Sequence, residues 1–436
     1  MLLPPLLTEQ DLEASSEGSL DPLGLSSVAD ALGTRLAPGV RERQRHPRFL
    51  TAMAVSFWVC KDFGEDAVAA DGVSEPWQVF EWHLVEGLVR RNPVRDELRG
   101  LPGHTKVAQA IRDGVPLCAR RYLKTPSVFG FHGVYRTLAR ELDIETAGRL
   151  GENGNDLLTT WADEQNLEGF CGSSGGPGRQ WCERIKEAVG DGLKKGAVAR
   201  TGGWEGWGFF SAYLAHRDIP RNEGRLLWRD LTSPAAGFRK EVFEFLVSPE
   251  GKRAWAGDGE ASERRFHTSL REHGSPELRH VLDTIMAYEA FARLLQDAFD
   301  ACLLRMTKTR GRTAPAEIAR LPGVGRAFRG LRPLFEELVD KLAGYGRSGD
   351  FQEDFRPLAE PTNLETWVDL LLELHRKTQR RKPPNGKAPW FERFDDGTLM
   401  IRPKYRLENG GPHADGYVHA YRTRALWDFA SDLGRV

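Results

Sequence analysis

No run of about 18 consecutive apolar residues occurs in the 436-residue chain, which leaves no candidate for a membrane-spanning helix. The N-terminal MLLPPLLTEQDLEASSEG opens apolar but lacks a positive n-region and turns acidic at once, so no signal peptide is predicted. Cysteine is scarce. Cys60, Cys118, Cys171, Cys182 and Cys302 make an odd number with no CxxC pair. That argues against a disulfide framework and a four-thiolate zinc site, and suits a reduced cytoplasm. Neither charge sign is in excess, with 61 Lys and Arg against 62 Asp and Glu. A nucleic-acid surface must then come from local segregation of charge. GSSGGPGRQ lacks the GK[ST] of a phosphate-binding loop. Glu81, His83 and Glu86 lie close in sequence but form no HExxH, and neither GxSxG nor GxGxxG after a strand is present. No metal site and no cofactor are expected, and no fixed-period repeat or low-complexity tract is found.

What is there is helical. At 40% hydrophobic and 28% charged, the composition is that of a globular protein too long for one core. Residues 1–24 read as an irregular arm. Val28, Leu32 and Leu36 recur at helical spacing, and APGV then stops the helix. PRFLTAMAVSFWVCKDF and EPWQVFEWHLVEGLVRRNP read as a buried and an amphipathic helix, giving an N-terminal helical domain over 1–125. From 126 to 232, GVYRTLARELDI, NDLLTTWADEQNL and ERIKEAVGDGLKKG read as helices, and the Gly- and aromatic-rich VARTGGWEGWGFFSAYL as a short hairpin. Helices followed by a hairpin suggest a winged-helix-like module. The strongest element lies in the third segment, 233–345. There Leu278, Val281, Leu282, Ile285, Tyr288, Ala292, Leu295, Phe299 and Cys302 hold one face of a long helix opened by Ser275-Pro276. The C-terminal region, 346–436, holds the helix NLETWVDLLLELHRKTQ and a hairpin around Asp395-Asp396-Gly397. The expected fold class is therefore mainly α: a multidomain helical protein with a winged-helix-like module and a small C-terminal β-hairpin.

The stretch IARLPGVGRAFRGL, 318–331, carries the functional reading. Leu321, Pro322, Gly323, Val324 and Gly325 sit between two amphipathic runs. Two glycines remove side chains, so backbone N–H groups can approach a phosphate. The helix that follows aims its positive dipole end at the same point, and Arg326 and Arg329 add charge. A second basic stretch, HRKTQRRKPPNGK, contains Arg380, Arg381 and Lys382 and runs into Trp390. Basic-plus-aromatic surface suits an unpaired or extruded base. His413 and His419 could line a site near the C-terminus.

LPGVG with its flanking apolar residues resembles the helix-hairpin-helix motif of DNA-binding proteins such as base-excision glycosylases and nucleases. The resemblance covers about 25 residues. It departs from the family at Arg329, where a small residue is usual. In the glycosylases an aspartate about twenty residues beyond the hairpin stabilises the cationic sugar or orients a water. Position 345 is tyrosine here, so Asp340 and Asp350 are the carboxylates that the resemblance leaves as catalytic candidates. SLDPLGLSSVADALGTRLAPGV followed by RHPRFLTAMAVSFWVC resembles a group of bacterial proteins that sit among anti-phage defence genes. These resemblances imply a cytoplasmic DNA-binding protein of bacterial defence with no membrane partner. The activity implied is a DNA glycosylase that excises modified bases from double-stranded phage DNA, for instance glucosylated hydroxymethylcytosine, after extruding the nucleotide. The alternatives are a non-catalytic DNA-binding or scaffold subunit working with other defence-system subunits, and a metal-dependent nuclease.

Overall fold

The computed structural model describes residues 21–436 apart from 65, 93–97, 173–174, 256–259, 310, 362, 384 and 408–415. His413 and most of the N-terminal arm lie outside the described residues. Nineteen α-helices and two small two-stranded antiparallel sheets make up the described chain, so the protein is mainly α. No helix among the described residues is long and apolar enough to cross a membrane.

The chain divides into two compact units, each assembled from separated stretches. One comprises the described residues up to Gly33 with Trp255–Ala420, the other Thr34–Ala254 with Tyr421–Val436.

The first unit is built on the expected long helix, Pro276–Thr309. All nine residues of the predicted face are buried, and Ser275 Oγ accepts the Leu278 N–H at its start. This spine packs most extensively on the helix Pro322–Ala343, which in turn packs on Ser348–Ala359. The helix Leu364–Arg380 starts where Asn363 Oδ1 accepts the Thr366 N–H, and its His375 is fully buried. The C-terminal hairpin forms as expected, Phe391–Arg393 pairing with Leu399–Ile401 in the register Phe391↔Ile401. Its turn uses Gly397 at φ +79°, a conformation glycine adopts without strain. The Asp21 carboxylate accepts the N–H groups of Leu23, Gly24, Leu25 and Ser26 and so caps the helix Ser26–Leu36.

The second unit surrounds the helix Phe49–Cys60, which is buried almost all round. Against it pack Pro76–Arg91, Phe131–Glu141 and Glu152–Glu164. Several buried polar groups are paired in networks. The Glu81 carboxylate accepts from Tyr122 Oη (2.6 Å), the Phe131 N–H (2.9 Å) and the His132 N–H (3.0 Å), capping the Phe131–Glu141 helix. His132 in turn meets Ser56 Oγ at 2.9 Å. His83 bonds the Val79 carbonyl and Glu86 pairs with Arg90, so the sequence neighbours Glu81, His83 and Glu86 have separate structural roles.

The structure corrects the expectation for VARTGGWEGWGFFSAYL. Gly206–Tyr213 is a helix, so the wing of the winged-helix-like module is absent from that stretch. Trp207, Phe210 and Leu214 fall at helical spacing and are buried, and this burial decides against a hairpin. The helix packs on Pro76–Arg91, where Gly87 makes the room: a Cβ there would lie 2.7 Å from the Phe210 ring. The second small sheet of the protein is the two-residue pair Glu145–Thr146 with Arg149–Leu150.

Candidate nucleic-acid interface

The 318–331 stretch is a short helix, Pro315–Ala319, a turn at Arg320 and Leu321, and then the long helix Pro322–Ala343. Pro322 is suited to the first helical position because its missing N–H is not needed there. The turn is closed by Leu321 N–H to the Ile318 carbonyl and Gly325 N–H to the Leu321 carbonyl, each 3.0 Å. Leu321 supplies no side-chain cap, so the N–H groups of Gly323 and Val324 have no acceptor inside the helix.

Neither glycine has a positive φ, and a Cβ on either would meet only ordinary contacts, so neither backbone conformation nor packing requires glycine at these positions. A Cβ on Gly323 would lie 3.5 Å from Ala301 Cβ and 3.7 Å from the Asp297 carbonyl, so the helix start abuts the spine. Ile318, Val324 and Leu331 are buried and fix that contact. Arg320, Arg326 and Arg329 are exposed and form no ion pair among the described residues. The Arg326 guanidinium lies beside Gly323 and that of Arg329 beside Gly325. Arg329 therefore runs along the outside of the helix and does not enter the core, so its departure from the small residue of the motif leaves the packing intact.

The carboxylates expected to serve this motif are elsewhere. Asp340 is exposed near the far end of the same helix, roughly 27 Å from Pro322 at 1.5 Å per residue. Asp350 is exposed in the first turn of Ser348–Ala359, 3.6 Å from Arg347. The basic stretch after His375 is largely neutralised. Arg381 and Lys377 each lie 2.9 Å from Asp354, Arg380 reaches Glu373 at 3.7 Å, and Lys382 donates to the Asp21 carbonyl at 2.7 Å. Burial holds the Lys382 ammonium below its ordinary range. Trp390 is half-buried and stacked on Tyr405 with ring centroids 4.8 Å apart. The Trp390 backbone N–H donates to His375 Nε2 at 3.0 Å, while His375 Nδ1 donates to the Pro22 carbonyl at 2.8 Å.

Trp390 nevertheless lines a cavity of about 450 Å³ together with Arg293, Gln296, Asp300, Tyr417 and His419. Arg293, Gln296 and Asp300 are spaced three and four apart on the spine, hence on one face. The adjoining face at the same level carries Asp297 and Ala301, which meet Gly323. The start of the Pro322–Ala343 helix and this cavity therefore flank the same turns of one helix on adjoining faces. Inside the cavity, Gln296 donates to Asp300 Oδ1 at 2.9 Å and His419 Nδ1 pairs with Glu289 Oε1 at 2.8 Å.

Asp300 is a cavity carboxylate that the sequence reading did not single out; it directly follows Phe299 on a helix read as core. No protein-family model, no curated protein and no solved structure matches the chain.

Proposed function

We propose that the protein binds DNA through the start of the Pro322–Ala343 helix. One observation carries the reading. Two backbone N–H groups without an acceptor in the helix and three exposed arginines with no ion pair among the described residues stand beside turns of the spine that also line a cavity with an aromatic ring and a carboxylate. The N–H groups and the helix dipole suit a phosphate, and the arginines neutralise its neighbours. A cavity of this size is within the range that encloses small organic ligands and accommodates an extruded, enlarged base.

The activity that follows is the DNA glycosylase implied by the helix-hairpin-helix resemblance, acting on modified bases of phage DNA in bacterial defence. Asp300 takes the role first given to Asp340 or Asp350, stabilising the cationic sugar as the base departs. A non-catalytic DNA-binding subunit is the second reading, favoured by the exposure of both original carboxylates. Incubating the protein with unmodified and glucosylated DNA in EDTA, followed by alkali and a denaturing gel, separates them. Alkali-dependent scission confined to modified DNA is the expected result. Retained binding without scission supports the subunit reading. Scission that needs a divalent metal and no alkali would mean a nuclease.

A further inference from the structure

The unit containing Thr34–Ala254 holds a cleft of about 950 Å³ whose walls carry Arg90, Arg91, Arg99 and Arg112. No carboxylate is among its described lining residues. Arg90 is paired with Glu86 at 2.7 Å, and its guanidinium carbon lies 5.3 Å from the ring centroid of Trp207, which also lines the cleft. Arg91, Arg99 and Arg112 are exposed and form no ion pair among the described residues, so the described walls of the cleft carry positive charge.

The walls are fixed by the fold. Arg90 and Arg91 end the helix Pro76–Arg91. His104, Ala108, Ile111 and Arg112 are one face of the helix His104–Arg112. Arg99 is held by its backbone: His46 Nε2 donates to the Arg99 carbonyl at 2.8 Å. The adjoining Gly100 sits at φ +86°, where a Cβ would collide with Arg45 at 2.4 Å. Val89, Leu98, Ala108 and Ile111 give the other part of the lining an apolar character. Guanidinium groups match phosphate oxygens in pairs, and they stack on planar rings. An apolar wall suits a base, and behind it the buried Trp207 indole stacks with His83 and carries the Arg90 guanidinium over its ring.

We infer that this cleft binds a nucleoside phosphate, its phosphates on Arg91, Arg99 and Arg112 and its base against the Trp207 side. The same chemistry is offered by a free nucleotide and by the 5′-phosphorylated end of a DNA strand. The inference does not depend on the helix start at Pro322, which belongs to the other unit.

Calorimetric titration of the full chain with ATP and with a 5′-phosphorylated single-stranded oligonucleotide tests it, with adenosine and pyrophosphate as controls. Saturable binding of either probe, tighter than both controls, is expected. ATP binding identifies a free nucleotide as the source, and binding of the oligonucleotide that is lost when its 5′-phosphate is removed identifies the strand end. Arg91→Ala and Arg99→Ala remove exposed side chains, so the fold is kept, and each should weaken the binding roughly tenfold or more. Pyrophosphate binding as tightly as ATP and the oligonucleotide would overturn the nucleoside assignment. No saturable binding of either probe, or affinity unchanged by both arginine substitutions, would overturn the site.

Discussion

Replacing His375 with phenylalanine should destabilise the protein at neutral pH and make it less sensitive to acid. His375 is fully buried, and both ring nitrogens are committed: Nδ1–H donates to the Pro22 carbonyl and Nε2 accepts the Trp390 N–H. Phenylalanine leaves that carbonyl and that N–H unpaired, at about 1–3 kcal/mol each, so the loss at pH 7 is roughly 2–6 kcal/mol. A proton on Nε2 would set two donors against each other. Burial, with Lys382 adding to it and the Pro22 bond opposing, lowers the imidazole pKa to about 4. In the unfolded chain the ring takes its proton near pH 6.5. The unfolded state therefore binds the extra proton between those values. The histidine's contribution is fully present above about pH 6.5 and falls by about 1.4 kcal/mol per pH unit down to about pH 4. Urea denaturation followed by circular dichroism at pH 7 and pH 5 should show the gap between native and variant protein shrinking by about 2 kcal/mol. The other buried histidines titrate equally in both proteins and cancel. A gap of the same size at both pH values would refute a neutral, doubly bonded His375.

Gly323→Ala with Gly325→Ala should fold with unchanged or slightly raised thermal stability, because the added methyls meet only ordinary contacts and the flexible Arg329 end. Any loss of DNA binding by that protein then reports on the grip. Gly87→Ala, by contrast, should cost roughly 1–3 kcal/mol in a chemical melt, since its Cβ would strike the Phe210 ring at 2.7 Å. Arg48→Met removes the partner of the fully buried Glu223, bonded at 3.2 Å, and should lower stability by about 3–5 kcal/mol in the same assay. Asp300→Asn should abolish alkali-labile sites while DNA binding persists in a gel shift. Equal scission by this variant would remove Asp300 from the chemistry.

Elements with a continuous apolar stripe were legible from sequence alone. The nine-residue face of the spine is buried as read, and the Asp-Asp-Gly hairpin forms where β-branched and aromatic residues flank a glycine turn. Gly206–Tyr213 was misread because glycines and aromatics suit both a hairpin and a short packed helix. The decision came from Gly87, more than a hundred residues earlier in the chain. The interleaving of the two units was hidden for a related reason, since a left-to-right reading cannot see that residues before Gly33 join those after Trp255. Positive charge misled as well: the dense run after His375 meets Glu353, Asp354 and Glu373, while Arg91, Arg99 and Arg112, scattered in sequence, gather around one cleft. Asp300 was invisible because only the folded chain brings Trp390 and His419 to its face of the helix.

The start of the Pro322–Ala343 helix is proposed to grip DNA phosphate. That grip is tested most directly by measuring double-stranded DNA affinity across a salt series for the native protein and for Arg326→Ala with Arg329→Ala. Each lost phosphate contact should flatten the plot of log affinity against log salt by about 0.9, so the double variant should lose nearly two units of slope for every sequence tested. Native protein that does not bind DNA, or a variant with the native slope, would contradict the account.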